Sequence, residues 1–374
     1  VAVYHPTLEY GLIGAVAAGS TFLLTPVARW LAIRWGAVAK PRDRDVHAVA
    51  IPRMGGVAMF LGFGIALFLA ARLPALSDAF DSGPEFVWIV IAAALICLVG
   101  VLDDRFELDS LTKLAGQVLA SAIMVTRGGV QLAEIYVPGS TLSLGRDLAI
   151  PVTIGLTVLT INAVNFIDGL DGLAAGVTAI AAAAFFVFSR HITTADFLHV
   201  TNAPTLLCAA LVGTCVGFLP HNFSPARIFM GDSGSMLVGL MLSAAAATAT
   251  TSVDPQSFQG ALGSVPLALP LLIPISVLIF PFVDLLLAVI RRVRRGQSPF
   301  APDKQHLHHR LLEMGHSHRR AVLLLYFWTA LLAFGGVGLA IFEGPWVVIG
   351  CVSGGVVLGV IVAMIPRVTK GRAG

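Results

Sequence analysis

FVWIVIAAALICLVGVLDDR, residues 86 to 105, runs for 17 residues without a charge and then presents two adjacent aspartates. A helix needs roughly 20 mostly apolar residues to cross a bilayer, with about 17 to 25 tolerated. The stretch therefore reads as a membrane span that ends in carboxylates. Working outward, comparable apolar stretches lie at 8–30, 54–72, 111–126, 148–164, 170–190, 204–219, 234–252, 266–290, 321–342 and 346–366, which makes eleven with 86–102. Composition agrees, since 57% of the 374 residues are hydrophobic and 12% charged, with a mean hydropathy of +0.87. A soluble domain carries about 25% charged residues. The expected fold is an all-α polytopic membrane protein, a single integral-membrane domain over 1–374. No internal repeat, low-complexity tract or soluble domain interrupts it, and the longest polar segment is 291–320.

An odd number of spans puts the termini on opposite sides, and the Lys/Arg bias of the loops decides which side is cytoplasmic. Placing Arg29, the segments 34–53, 103–113, 220–233 and 291–320, and the tail after Pro366 together gathers 20 of the 24 lysines and arginines. Arg72, Arg127, Arg146 and Arg190 remain on the other side. The N-terminus is accordingly expected outside and the C-terminus in the cytoplasm. On the outer side, 127–147 alternates apolar and polar residues around Pro138-Gly139, the pattern of a small external β-hairpin. No basic n-region precedes the first span, so a cleavable signal peptide is not expected. The four cysteines all sit in apolar runs without metal-ligand spacing and read as packing residues. A net charge of +3 gives no reason to expect nucleic acid.

Under this topology the polar motifs share one face. DDRFELDSLTK follows span three, NFIDGLDG span five, HNFSPARIFMGDSG span seven and PDKQHLHHRLLEMGHSH span nine, and the basic first loop joins them. Five discontinuous loops converging on one cytoplasmic cleft describe a membrane-embedded active site. A transporter would place its polar groups near the bilayer midplane, often in inverted repeats; a scaffold would need no such convergence.

Each motif also has a plainer reading. Asp103 and Asp104 could be solvated charges at a helix end, although carboxylates at the end of CLVGVL are costly unless paired or bound to a cation. Asp109 reads as a helix cap. Lys113, at the mouth of the next span, is placed to neutralise a phosphate. Asn165, Asp168 and Asp171, spaced by three, form a polar stripe if the helix continues through them, with Gly169 and Gly172 allowing close approach. An EF-hand is excluded by the spacing. Asp232, between glycines at the start of span eight, either caps that helix or holds a divalent cation beside an anion. His306, His308 and His309 could take zinc, but without accompanying cysteines they read better as phosphate or sugar contacts. Asp284 is ionisable within span nine and functional by default, although a salt bridge to a neighbouring helix would serve as well. Carboxylates with Mg²⁺, bordered by Lys113, Arg53, Arg227, Lys304 and histidines, suit a nucleoside diphosphate.

VLDDRFELDSLTK, NAVNFIDGLDGLAAG, FMGDSGSMLVG and SPFAPDKQHLHHRLLEMG, in this order, resemble the polyprenyl-phosphate N-acetylhexosamine-1-phosphate transferase family over essentially the whole chain. The branch it is most similar to uses undecaprenyl or decaprenyl phosphate and GlcNAc-1-phosphate. The branch that makes the muramyl-pentapeptide lipid carries three consecutive histidines in its last loop, whereas Leu307 interrupts the run here. The resemblance implies transfer of GlcNAc-1-phosphate from UDP-GlcNAc to the lipid phosphate, with release of UMP, at the cytoplasmic face of a bacterial cytoplasmic membrane, as the first membrane step of a cell-envelope glycan. Transfer of phospho-MurNAc-pentapeptide, or of another acetamido-sugar-1-phosphate, is the alternative. It implies Mg²⁺ as cofactor, with Mn²⁺ as a substitute, and Asp232 and Asn165 as its contacts. Asp103, Asp104, Asp168, Asp171 and Asp232 are the implied catalytic set, and Lys113, Arg53, His306, His308 and His309 the phosphate and sugar contacts. Homodimerisation through the spans is left open.

Overall fold

The computed structural model describes residues 6–39, 50–81, 83–132, 134–137, 140–194, 203–251, 272, 317–342 and 344–364. In chain order these form α1 (Pro6–Trp35), β1 (Val38–Ala39), β2 (Ile51–Pro52), α2 (Gly55–Ala70), α3 (Asp78–Asp81), α4 (Glu85–Phe106), α5 (Ser110–Arg127), β3 (Glu134–Val137) and β4 (Ser140–Ser143). They continue with α6 (Arg146–Ile167), α7 (Leu173–Thr194), α8 (Ala203–Asn222), α9 (Gly231–Thr251), α10 (His318–Ile341) and α11 (Pro345–Met364). Ten of the eleven expected spans fall on helices; the other, 266–290, lies outside the described residues apart from Leu272. Eight of the helices are long and apolar enough to cross a membrane, so the protein is a polytopic helical membrane protein. The 16-residue α2 is short of that measure. So is α5, whose Lys113, Gln117 and Arg127 interrupt its apolar residues.

The bundle is built around α9. Its sequence, GDSGSMLVGLMLSAAAATATT, is dominated by small residues, and it is buried along its whole apolar length. Small side chains let neighbouring backbones approach closely, which is the main source of helix association in lipid. Helices α2, α4, α6 and α8 pack around α9; α1 lies across α8 and α2, and α7 joins α8 to α10. By contrast α11 packs mainly on α10 among the described elements and is exposed over most of its surface, as a helix facing lipid would be. Cys97, Cys208 and Cys215 are buried packing residues, but Cys351 on α11 is exposed, contrary to the expectation for all four.

Glycines set the closest approaches. A side chain at Gly56 on α2 would collide with the Ser233–Gly234 backbone, and one at Gly100 on α4 with Asp232 and Ser233. The first turn of α9 is thus clamped between two helices with nothing interposed. The 222–230 segment before it is sewn to the start of α2: Phe229 N–H donates to Pro52 O (2.8 Å), while Gly55 and Gly56 N–H donate to Phe229 O and Met230 O (both 3.1 Å). Strands β1 and β2 pair over two residues each, and β3 pairs antiparallel with β4, Glu134 opposite Ser143.

Candidate active site

The acidic motifs meet where α4 ends, α5 begins, α6 ends and α9 begins. Adjacent residues on a helix point about 100° apart, so the two aspartates closing α4 look in different directions. Asp104 turns inward and is buried. Its carboxylate accepts from Asp232 N–H (2.9 Å), Ser233 N–H (3.2 Å) and the Ser233 hydroxyl (2.8 Å). It is an N-cap supplied by another helix, satisfying donors that α9 cannot satisfy itself. The plainer reading of Asp232 as its own helix's cap is thereby replaced. Gly231, at φ +70°, lies against the Asp104 carboxylate, leaving no room for a side chain. Asp103 turns toward the cleft, where Lys113 Nζ donates to its Oδ2 at 3.1 Å and also to Asp232 Oδ2.

Lys113 reaches this position because Asp109 starts α5 as expected. The Asp109 carboxylate accepts from Leu111 and Thr112 N–H (both 3.0 Å) and from the Thr112 hydroxyl (2.6 Å), which holds it below the usual carboxylate range. The lysine then lies in the first turn of α5, beside the last turn of α4. On the other side of Asp232, Asn165 Nδ2 donates to its Oδ1 at 2.6 Å and to Ser235 Oγ at 2.9 Å.

The polar stripe expected through Asn165, Asp168 and Asp171 is broken. Helix α6 stops at Ile167, and the chain turns through Gly172 at φ +78° before α7 begins. Asp171 is buried, and its Oδ2 accepts from Ala226 N–H at 3.0 Å, so it braces the 222–230 segment. Asn222 completes that brace, accepting from Gly172 N–H and donating to Ile228 O, each at 3.0 Å, while the Tyr326 hydroxyl donates to Gly172 O. Asp168 stays partly exposed, and among the described residues no donor hydrogen-bonds its carboxylate. Desolvation, then the neighbouring carboxylates of Asp232, Asp104 and Asp171, push its pKa well above the usual range, and Arg53 opposes them. The backbone of Arg53 is fixed by its N–H donating to Ala37 O (2.9 Å).

Chemically, the cleft offers the carboxylates of Asp103, Asp168 and Asp232, an amide, an ammonium and a guanidinium. The family model of glycosyl transferase family 4 matches residues 86–250. The chain is 46% identical over 375 residues, 99% of its own length and 91% of the relative's, to the decaprenyl-phosphate N-acetylglucosaminephosphotransferase of Mycolicibacterium smegmatis. It is 45% identical over 372 residues to the protein of that name from Mycobacterium tuberculosis, covering 98% of the chain and 91% of the relative. The chain belongs to glycosyl transferase family 4. A more distant relative, the undecaprenyl-phosphate alpha-N-acetylglucosaminyl 1-phosphate transferase of Yersinia pestis, is 30% identical over 321 residues, 83% of the chain and 79% of the relative.

The family 4 segment begins in α4 and ends in α9, so it contains Asp103, Asp104, Lys113, Asn165, Asp168, Asp171 and Asp232 and omits Arg53. His306, His308 and His309, with Lys304 and Asp284, lie outside the described residues. Arg227, expected to border the carboxylates, instead lines a separate cavity with Arg29 and His221. Ser233, Ser235, Asn222 and Tyr326 escaped the sequence reading. The first three stand inside the quoted motifs HNFSPARIFMGDSG and FMGDSGS; nothing marks Tyr326 within its apolar run.

Proposed function

We propose that this family 4 protein transfers GlcNAc-1-phosphate from UDP-GlcNAc to decaprenyl or undecaprenyl phosphate. An oxygen of the lipid phosphate attacks the β-phosphorus, the bond from that phosphorus to the oxygen it shares with the α-phosphorus breaks, and UMP leaves. The observation that carries the reading is the ammonium of Lys113 held between Asp103 and Asp232 at the meeting point of four helix ends. Cation and carboxylates alternating there suit a substrate with two linked phosphates. The near-full-length likeness to decaprenyl-phosphate N-acetylglucosaminephosphotransferases points to the same chemistry.

A lipid phosphate monoester has a second pKa near 6 and is largely dianionic at neutral pH, so no side chain need remove a proton. Positioning and charge stabilisation are then the protein's task. Lys113 exchanges its carboxylate partners for a phosphate, and Arg53 adds positive charge beside Asp168. Asp104 and Asp171 act through the backbone, one fixing α9 and the other the 222–230 segment. His306, His308 and His309 are proposed to contact the pyrophosphate or sugar.

Mg²⁺ fits the residues present, with Mn²⁺ as its substitute. The Lys113 ammonium is already a cation between two carboxylates, and the Asn165 amide, turned over, presents an oxygen next to Asp232. Among the described residues no group of three acidic, histidine or cysteine side chains forms a cage. That suits an ion bound through one or two carboxylates and completed by water and phosphate. Asp232 and Asn165 would hold it; bound there, it neutralises charge developing on the phosphate oxygens.

The proposed arrangement has eleven spans, an external N-terminus and β3–β4 hairpin, and the cleft facing the cytoplasm. It rests on the concentration of 20 of 24 basic residues on one side. Single cysteines in a background without the native four should be labelled from the cytoplasm at Ser298 and from outside at Ser140; labelling of both from one side would break the arrangement. For the reaction, purified protein with polyprenyl phosphate, Mg²⁺ and a panel of UDP-sugars should release UMP with UDP-GlcNAc and little with UDP-MurNAc-pentapeptide. The reverse preference would reassign the donor.

A further inference from the structure

A cavity of about 310 Å³ opens where the C-terminal parts of α1 and α8 meet the 222–230 segment, lined by Thr25, Pro26, Arg29, His221 and Arg227. None of the cleft's carboxylates lines it. Arg29 Nε donates to the backbone oxygen of Arg227 at 3.0 Å, which ties α1 to the segment. His221 is placed by its ring nitrogen, 3.1 Å from Phe22 O, and by packing on the Phe22 ring at 4.7 Å. Among the described residues neither guanidinium has a carboxylate partner. Two guanidiniums on one small cavity without a counter-ion repel each other. Their forked donors match a phosphate, which arginine binds bidentately.

The depth of the cavity says what kind of phosphate. Trp30 and Trp35 are exposed on the same end of α1, with Arg34 over the Trp30 ring at 5.3 Å. Exposed tryptophans with arginines mark headgroup level in a bilayer. Toward the middle of α1, Phe22 is exposed, two helical turns before Arg29 and on the same helix face. A soluble anion would use only the cations; a lipid uses the cations and the exposed Phe22 ring.

We infer that the α1/α8 cavity binds the headgroup phosphate of an anionic membrane phospholipid, with Arg29 and Arg227 on the phosphate and an acyl chain against Phe22. The site is independent of the transfer reaction. It is tested on the purified full chain in neutral detergent by native mass spectrometry with dioctanoyl-phosphatidylglycerol, dioctanoyl-phosphatidylcholine and inorganic phosphate. Phosphatidylglycerol should be retained, phosphatidylcholine should not, and inorganic phosphate at equal concentration should not displace the lipid. Arg227→Gln keeps the backbone oxygen that Arg29 uses, so it removes one charge and spares the tie. It should weaken phosphatidylglycerol binding about tenfold, or about 1.4 kcal/mol. Arg29→Lys, which keeps the charge but loses the fork, should weaken it less, and Arg34→Gln, outside the cavity, should leave it unchanged. Undiminished binding in both Arg227→Gln and Arg29→Lys would overturn the inference. So would equal retention of phosphatidylcholine, or displacement by inorganic phosphate, which would make this a site for a soluble anion.

Discussion

The end of α4 and the turn between α6 and α7 solve the same problem in different ways. Each carries two aspartates, and in each one carboxylate serves the fold while the other faces the cleft. At α4 the division follows from helix geometry: Asp104 looks in to cap α9 and Asp103 looks out to Lys113. At the α6–α7 turn it follows from the helix ending, which sends Asp171 to Ala226 N–H and leaves Asp168 among like charges. The comparison teaches that a dense acidic motif need not be a set of equivalent ligands. Half of this one builds the platform on which the other half stands.

The division can be broken most directly at α4. Asp103→Asn should lower kcat on the order of 10³-fold, about 4 kcal/mol of barrier, with an unchanged melting temperature. Asp104→Ala should instead lower stability by about 3 kcal/mol, because two backbone N–H groups and a hydroxyl lose their buried acceptor. Thermal unfolding in detergent beside a UMP-release assay separates the two; a folding defect in the first variant and normal unfolding in the second would reverse the assignment.

Asn165 sharpens the picture from α6. If it serves only to orient Asp232, its loss should be mild; if its oxygen contributes to the transition state, Asn165→Ala should reduce kcat by about 10²-fold, on the order of 2.7 kcal/mol. Comparison of kcat with KM decides, since a purely structural role would move both or neither.

The smallest expected effect lies in the turn and is read from stability against pH. The Asp168 pKa is raised in the fold, so its ionisation works against the folded state: this group stabilises at low pH and loses that contribution as pH rises through its folded value. With divalent ions chelated, Asp168→Asn should therefore melt a few degrees higher than the parent at neutral pH, although its turnover is severely impaired. The gain should vanish below about pH 4, where the unfolded carboxylate is also protonated. Asp171→Ala should melt lower, having lost the acceptor for Ala226 N–H. A higher melting temperature in both variants would mean that the two aspartates are alike after all.

These contrasts also show what the sequence could convey. Helical spans were legible because lipid demands unbroken apolar runs, and the meeting of DD, NFIDGLDG and GDSGS followed from span parity. The 100° between Asp103 and Asp104 follows from helix periodicity alone. The fate of Asp171 does not, because it depends on α6 stopping at Ile167 and on a partner, Ala226, 55 residues away. Arg227 shows the same limit: its charge suggested the cleft, whereas the path of the 222–230 segment brings it to Arg29.

Gly56 and Gly100 leave the first turn of α9 seated on neighbouring backbone with no side chain between. A joint without spare volume transmits displacement rather than absorbing it. One methyl group on either glycine would shift the Asp232 carboxylate relative to Lys113 while leaving every ionisable residue of the cleft in place. The two residues that contribute no functional group are thus the gauge blocks of the acidic cleft, and its tolerance is set by their lack of size.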